Sequence, residues 1–353
     1  IKYRKVHRGH RKGMAKLGEL RVHPGEMTLN MLSPFIPNII KDESLRKEKR
    51  TLGVAKVLAN ASSVHSISTY LQAETDWDFM AVYHDAIDHF CHLAMKYHPP
   101  KREHINQEDF DNFNLVVEAG YRFHDMMLER TIELMDDDTA LMLISDHGFH
   151  SDHQRPLFIP KEPSGPATEH SPFGIFVMAG PGIKKGGVKI SGASILDITP
   201  TILSYYNMPI GKDMDGKVLS SIYDTPKKEK YINSWEDLKG DFGGYSKDSV
   251  EDPWSAQEAL QQLVELGYIE AVDDKKLDEI EKAKRESRYY MARGLINGGE
   301  YPKAIEILEE IFEESNVIRY GQRLAFAYLS CRKYLKCQSI IDQLRVVEQK
   351  AFD

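Results

Sequence analysis

Apolar positions along the chain fall into two rhythms. From Glu43 to Glu74 they recur every three to four residues with no proline, which predicts a long helix. The run "DFMAVY", Asp78–Tyr83, predicts a short buried strand leading to Asp85 and Asp88. Over residues 106–138, Phe110, Phe113, Val117, Tyr121, Met127 and Leu128 recur at helical spacing and predict a second amphipathic helix. "ALMLIS" at 140–145 and "FGIFVMAGPG" at 173–182 predict two further strands, and "SILDITPTILSYYN" at 194–207 predicts another helix. Strand, long helix, strand, connection, strand, helix is the alternation of an α/β fold with a largely parallel sheet flanked by helices. In such sheets ligands collect beyond the carboxyl ends of the strands.

From Tyr231 the texture changes. "INSWEDLKGDFGGYSKDSVEDPWS" is rich in Gly, Ser and Asp and reads as a linker, and a helix is predicted from "SAQEALQQLVELGYIEA" at 255–271. Shifting the remainder by 33 residues sets Ala292 on Ala325, Tyr301 on Tyr334, Ala304 on Cys337 and Leu308 on Ile341. A period near 34 with small residues at helix crossings resembles the tetratricopeptide repeat. Two units are fewer than such solenoids normally need, so an unrelated pair of helical hairpins stays open. The expected domains are 1–230, a linker and helix at 231–270, and an all-α helical-repeat tail at 271–353.

A chain of 353 residues has room for two or three domains and a complete active site. Its net charge of -8 argues against a nucleic-acid polymer as partner, because phosphate-backbone affinity comes from clustered Lys and Arg. One basic cluster exists, residues 1–16, and reads first as a solvated surface segment. No run approaches the roughly 18 to 20 apolar residues of a membrane span. Cys91, Cys331 and Cys337 are odd in number and fit neither a disulfide framework nor a cysteine zinc site, which suits a reducing, cytoplasmic setting. The chain opens on Ile1, so a targeting segment further upstream stays open.

The chemistry concentrates where strands are predicted to end. Asp88 and His92 form D-x-x-x-H, four residues apart and so on one face of a helical turn, where both can reach one cation. Asp146 and His147 close the next strand in "LMLISDHGFHSDHQRP", and His170 stands in "ATEHSPFGIF" just before the third. Three separated segments thus bring Asp and His to one sheet edge, the donor set that divalent metals of the zinc class take. Affinity order alone does not choose between zinc, manganese and iron.

"YHDAIDHFCH", "LISDHGFHSDHQRP", "EHSPFGIFVMAGPGIK" and "GASILDITPTILSYYNMPIGKDMDGKVL", in this order, resemble the alkaline phosphatase superfamily, in particular its nucleotide pyrophosphatase/phosphodiesterase-like branch. The resemblance covers about residues 75–220. It implies two divalent metal ions, zinc first, with Asp88, His92 and His170 holding one and Asp146 and His147 contributing to the other. It also implies a Thr or Ser nucleophile at a helix start and an Asp at the end of a first strand. Residues 1–75 offer no counterpart to either, so both are expected upstream of Ile1. With three ligands for one metal and two for the other, the chain is expected to hold about one zinc and to turn over poorly.

The implied activity is metal-dependent hydrolysis of phosphodiester, pyrophosphate or phosphomonoester bonds in a phosphate-ester small molecule. A sulfatase reading would need C/S-x-P-x-R, which is absent from these residues. The alternative is an incomplete phosphatase-like scaffold that grips a protein partner through its helical tail. Among neighbouring residues, His84, Asp85 and His89 read as packing or outer groups, and His150 and His153 as outer groups or solvated loop. Asp197, Thr199, Pro200 and Thr201 read as a structural helix start. "GPGIKKGG" fits neither phosphate-loop spacing nor a dinucleotide fingerprint and reads as a strand-end turn.

Overall fold

A computed structural model describes residues 18–160, 165–240 and 276–352, with side chains left out of account at 276–283 and 347–352. The basic cluster at 1–16 and the helix expected at 255–271 lie outside the described residues. The rest is a mixed α/β arrangement with a helical C-terminal region, in two compact units. One takes residues 18–139 and 147–175; the other takes 140–146, 176–240 and the C-terminal helices.

The first unit is built around helices. α1, Lys49–Glu74, buries Val54, Ala55, Val57, Leu58, Ala59 and Ala61, a face narrow enough in side chain for another helix to come close. α2, Ala86–Ala94, packs on it with Ala86, Phe90, Cys91 and Ala94 inward. The expected helix at 106–138 is two helices, α3 at Gln107–Phe113 and α4 at Val116–Glu133. Its inward face carries Val116, Val117, Ala119, Gly120 and Met127, whereas Tyr121, expected inside, is 51% exposed. Gly120 is required by packing: a Cβ there would lie 2.6 Å from Cδ2 of Phe90, a ring that is 1% exposed and 5.1 Å from Phe35. This glycine lets α2 and α4 touch.

Asp78–Tyr83, expected as a buried strand, is not one. Phe79 is 57% and Tyr83 82% exposed, and the segment pairs with no strand among the described residues. An extended run becomes a strand only when a neighbour takes its backbone hydrogen bonds.

The strands that do form are short. In the second unit β1, Leu141–Ile144, pairs with β4, Phe176–Ala179, antiparallel with Leu141 opposite Ala179 and Ile144 opposite Phe176. In the first unit β2, Gly148–Phe149, pairs antiparallel with β3, His170–Ser171. The one parallel pair among the described residues is β5, Ile210–Gly211, with β6, Tyr231–Ile232. Among the described residues the sheets are small and two-stranded, and the largely parallel sheet expected from the alternation is not among them. A parallel return needs a crossover, usually a helix, and between β1 and β4 the one helical element among the described residues is a 3-10 segment, Gly165–Glu169.

The second unit also contains α5, Ile198–Tyr205, and a small core of Ile183, Leu219, Ile222 and Tyr223. Ahead of α5, Ser194 caps a 3-10 turn. Asp197 accepts from Ser194 N at 2.9 Å and from Lys217 N at 2.8 Å, so its carboxylate is fully engaged in holding the chain, in keeping with the structural reading of this start. Four helices follow: α6, Lys276–Gly298; α7, Tyr301–Ser315; α8, Ile318–Ser330; and α9, Tyr334–Phe352. Consecutive helices pack pairwise on a core of their own, which includes Ala292, Ala304, Leu308, Ala325 and Cys337. Most positions superposed by the 33-residue shift are thus buried together, although Tyr334, the counterpart of Tyr301, is 62% exposed. Among the described residues no helix is long and apolar enough to cross a membrane.

Candidate metal centre

In the first unit α2 and the β2–β3 pair bring Asp88, His92 and His170 together. Asp88 and His92, one helical turn apart, place Oδ1 and Nε2 3.4 Å from each other. The pairing of Phe149 with His170 aims the second imidazole at the same point. His170 Nε2 lies 3.0 Å from His92 Nε2 and 3.5 Å from Asp88 Oδ1. Among the described residues this is the one group of three His, Cys, Asp or Glu ligand atoms all within 4.8 Å of one another.

The spacing is what a tetrahedral ion would ask for. With metal–ligand bonds of about 2.0–2.1 Å, neighbouring ligand atoms stand roughly 3.3 Å apart. The three observed edges of 3.0, 3.4 and 3.5 Å straddle that value. His147 Nε2 approaches the same Asp88 oxygen at 3.6 Å, and its ring stacks on His170 with centroids 3.7 Å apart and planes 11° from parallel. The Nδ1–H of His147 donates to Gly148 O at 3.1 Å. Gly148 itself has no room for a side chain, since a Cβ would lie 2.8 Å from the Phe173 carbonyl oxygen.

Behind this group stands a residue the sequence reading passed over. Glu169, 3% exposed, accepts from His92 Nδ1 at 2.9 Å and so fixes the ring with Nε2 facing the cluster. Its backbone carbonyl accepts from His150 N at 2.9 Å, which ties it to the loop after β2. A carboxylate on the far nitrogen of a metal-ligating histidine is a recurrent support, and the signal was a Glu immediately before His170 in "ATEH".

Electrostatics divide the cluster. Burial works against the Asp88 carboxylate, but hydrogen bonds from His170 and His92 outweigh it and hold its pKa well below the usual carboxylate range. Burial also opposes a charge on His92, yet hydrogen bonds to Asp88 and Glu169 push it up to about 9. His170 goes the other way: burial lowers it, and the neighbouring imidazoles add to that against the pull of Asp88. The metal-free cluster therefore keeps its proton on His92, between two carboxylates.

The remaining expected residues are placed as follows. Asp146 directly follows β1 and goes with the second unit; neither it nor His147 belongs to the three-ligand group. His89 is buried, with Asp85 3.9 Å away. His150 and His153 lie 3.9 and 3.5 Å from Asp152, and His153 is 83% exposed. Gly182 and Gly186, in "GPGIKKGG", have φ of 72° and 94° with open space around them, a turn geometry.

A half-buried Asp-His-His cluster at tetrahedral spacing, held by an outer carboxylate on a mixed α/β scaffold, defines a candidate divalent-metal protein. A profile of the family described as "Type I phosphodiesterase / nucleotide pyrophosphatase" matches residues 29–159, which include Asp88, His92, Asp146 and His147. No curated protein and no solved structure matches the chain.

Proposed function

We propose that the chain carries the metal centre of a phosphoester hydrolase, acting on phosphodiester, pyrophosphate or phosphomonoester bonds of a small molecule. The observation that carries the reading is the Asp88, His92 and His170 group, whose ligand atoms stand at the edges of one coordination sphere. The family match over residues 29–159 supports the same chemistry. Asp88, His92 and His170 would hold one divalent ion, zinc first, with manganese or iron as alternatives; Asp146 and His147 would contribute to a second.

A bound divalent ion of this kind supplies Lewis-acid stabilisation of the phosphoryl oxygens and lowers the pKa of a coordinated hydroxyl. Asp88 stays ionised and brings negative charge to the ligand set. Glu169 keeps His92 in the tautomer whose Nε2 can ligate. Gly148 lets the Phe173 backbone approach β2 closely. The attacking group is taken to be a Thr or Ser hydroxyl, in line with the resemblance. On this reading residues 1–230 form the hydrolase domain, 231–270 the connection and 271–353 a tetratricopeptide-like tail open to a protein partner.

Zinc affinity of the full chain, measured by competition with a chelating dye, tests the reading against Asp88→Asn. Removing the charged ligand should cost more than the roughly 10- to 100-fold that an outer partner is worth, and any hydrolysis of a chromogenic phosphodiester should disappear with it. An Asp88→Asn chain that holds zinc as the native one does would overturn the proposal.

A further inference from the structure

A second set of histidines lies apart from the site just described. His65 is on α1, His84 on the segment entering α2, and His124 on α4. The rings of His84 and His124 stand edge to face with centroids 5.5 Å apart. All three are electrostatically within reach of one another: His65 bears on His84, and both bear on His124. Each also presents a buried ring nitrogen with no hydrogen-bond partner among the described residues, Nδ1 of His65, Nδ1 of His84 and Nε2 of His124. A buried polar atom without a partner costs about 1–3 kcal/mol, and native proteins seldom leave one without a water, an ion or a functional reason. Three such atoms from three segments in one neighbourhood point to a shared ligand.

We propose that His65, His84 and His124 form a second cation site, taking a divalent transition metal of the zinc class. Three lone pairs from neutral imidazoles are what such an ion requires. Burial keeps all three rings below the ordinary histidine range, and the cluster itself adds to this for His84 and His124, with His124 lowered to about 4, so the lone pairs are available at neutral pH. Two imidazoles on one tetrahedral zinc place their centroids roughly 5 Å apart, close to the 5.5 Å of His84 and His124 and to the 5.0 Å of His92 and His170. The trio is more open than the Asp88 group, which alone among the described residues already has three ligand atoms within 4.8 Å, so capture draws the rings inward by side-chain rotation. The backbone around it is tied: Gln72 Nε2 on α1 donates to Thr131 O on α4 at 3.0 Å. Asp85, beside His84, offers an anion against the ion's charge, and Arg130, near His65, opposes it.

The inference is independent of the phosphoester reading and is tested with the Asp88 site disabled. Equilibrium dialysis of the full Asp88→Asn chain against zinc should still find one bound equivalent, and adding His84→Gln and His124→Gln should remove it. Retention of that equivalent in the triple variant, or none bound by Asp88→Asn, overturns the proposal. Copper(II) electron paramagnetic resonance of Asp88→Asn decides the matter with the trio intact should the triple variant fail to fold. Hyperfine structure from three imidazole nitrogens is the expected result, and a spectrum without it sinks the site.

Discussion

Glu169 gives the sharpest test of how the candidate centre is held. Its carboxylate is 3% exposed and takes the Nδ1–H of His92 at 2.9 Å, so Glu169→Ala leaves a buried donor with no acceptor. That alone costs about 1–3 kcal/mol of folding stability. It also frees the His92 ring to turn its Nε2 away from Asp88 and His170. Loss of an outer partner of this kind typically weakens metal binding 10- to 100-fold, or about 1.4–2.8 kcal/mol. Glu169→Gln keeps an oxygen acceptor without the charge, so it should lose less than Glu169→Ala, and this ordering separates orientation from electrostatics. Zinc affinity by dye competition on each variant, with circular dichroism to verify folding, reads all of it. Should Glu169→Ala bind within twofold of the native chain while Asp88→Asn loses a zinc equivalent, Glu169 only fills space and the orientation argument fails.

Two further outcomes follow from the packing and the charges. Gly120→Ala would drive a Cβ to within 2.6 Å of a Phe90 ring that is 1% exposed and has nowhere to swing, so the α2–α4 contact must open. Overpacking of this kind costs about 1–3 kcal/mol, more than the roughly 1 kcal/mol of helix propensity gained; a urea midpoint at or above the native one would refute it. His124, lowered to about 4 by burial and by His84 and His65, makes the metal-free fold acid-sensitive. A histidine that binds its proton more weakly folded than unfolded contributes no penalty above its unfolded pKa. The folded state loses stability as pH falls below that value, by about 2 kcal/mol near pH 5. Urea unfolding in chelator between about pH 5 and 7 should show this slope, and His124→Phe should flatten it.

The sequence made the helices and the candidate cluster legible to different depths. Periodicity located α4 and α5 because one face of each is apolar, the proline-free run located α1, and the D-x-x-x-H spacing predicted the Asp88–His92 contact from helix geometry alone. Strand identity was legible at Leu141–Ile144 and Phe176–Ala179, but strand direction was not. Direction depends on what connects two strands, and the residues between these two carry turn and loop texture rather than a crossover helix. The "DFMAVY" run is not a strand either: alternation and apolarity describe a chain fit to be one, while strand pairing is set by the rest of the fold. Glu169 escaped because a lone carboxylate beside a histidine is common in loops, and its role appears only once β3 turns His170 inward and leaves Glu169 facing His92.

The stability of the centre has to come from somewhere other than its own elements. A two-residue antiparallel pair and a five-residue 3-10 segment carry little stability alone. Phe149 supplies the connection: it packs against the core of the first unit while its ring meets His92 at 5.0 Å, His170 at 4.8 Å and His147 at 5.7 Å, each edge-on. Arg155, buried to 4% exposure, does the same for the loop that follows, donating to the carbonyls of Met95, His98 and Pro100 just beyond α2. The β2–β3 pair with its following loop and α2 are therefore held to one another by the Phe149 ring and the Arg155 guanidinium. That fixes the distance between Asp88–His92 and His170 before any ion binds, and a site fixed in advance spends less of its binding energy on ordering the chain.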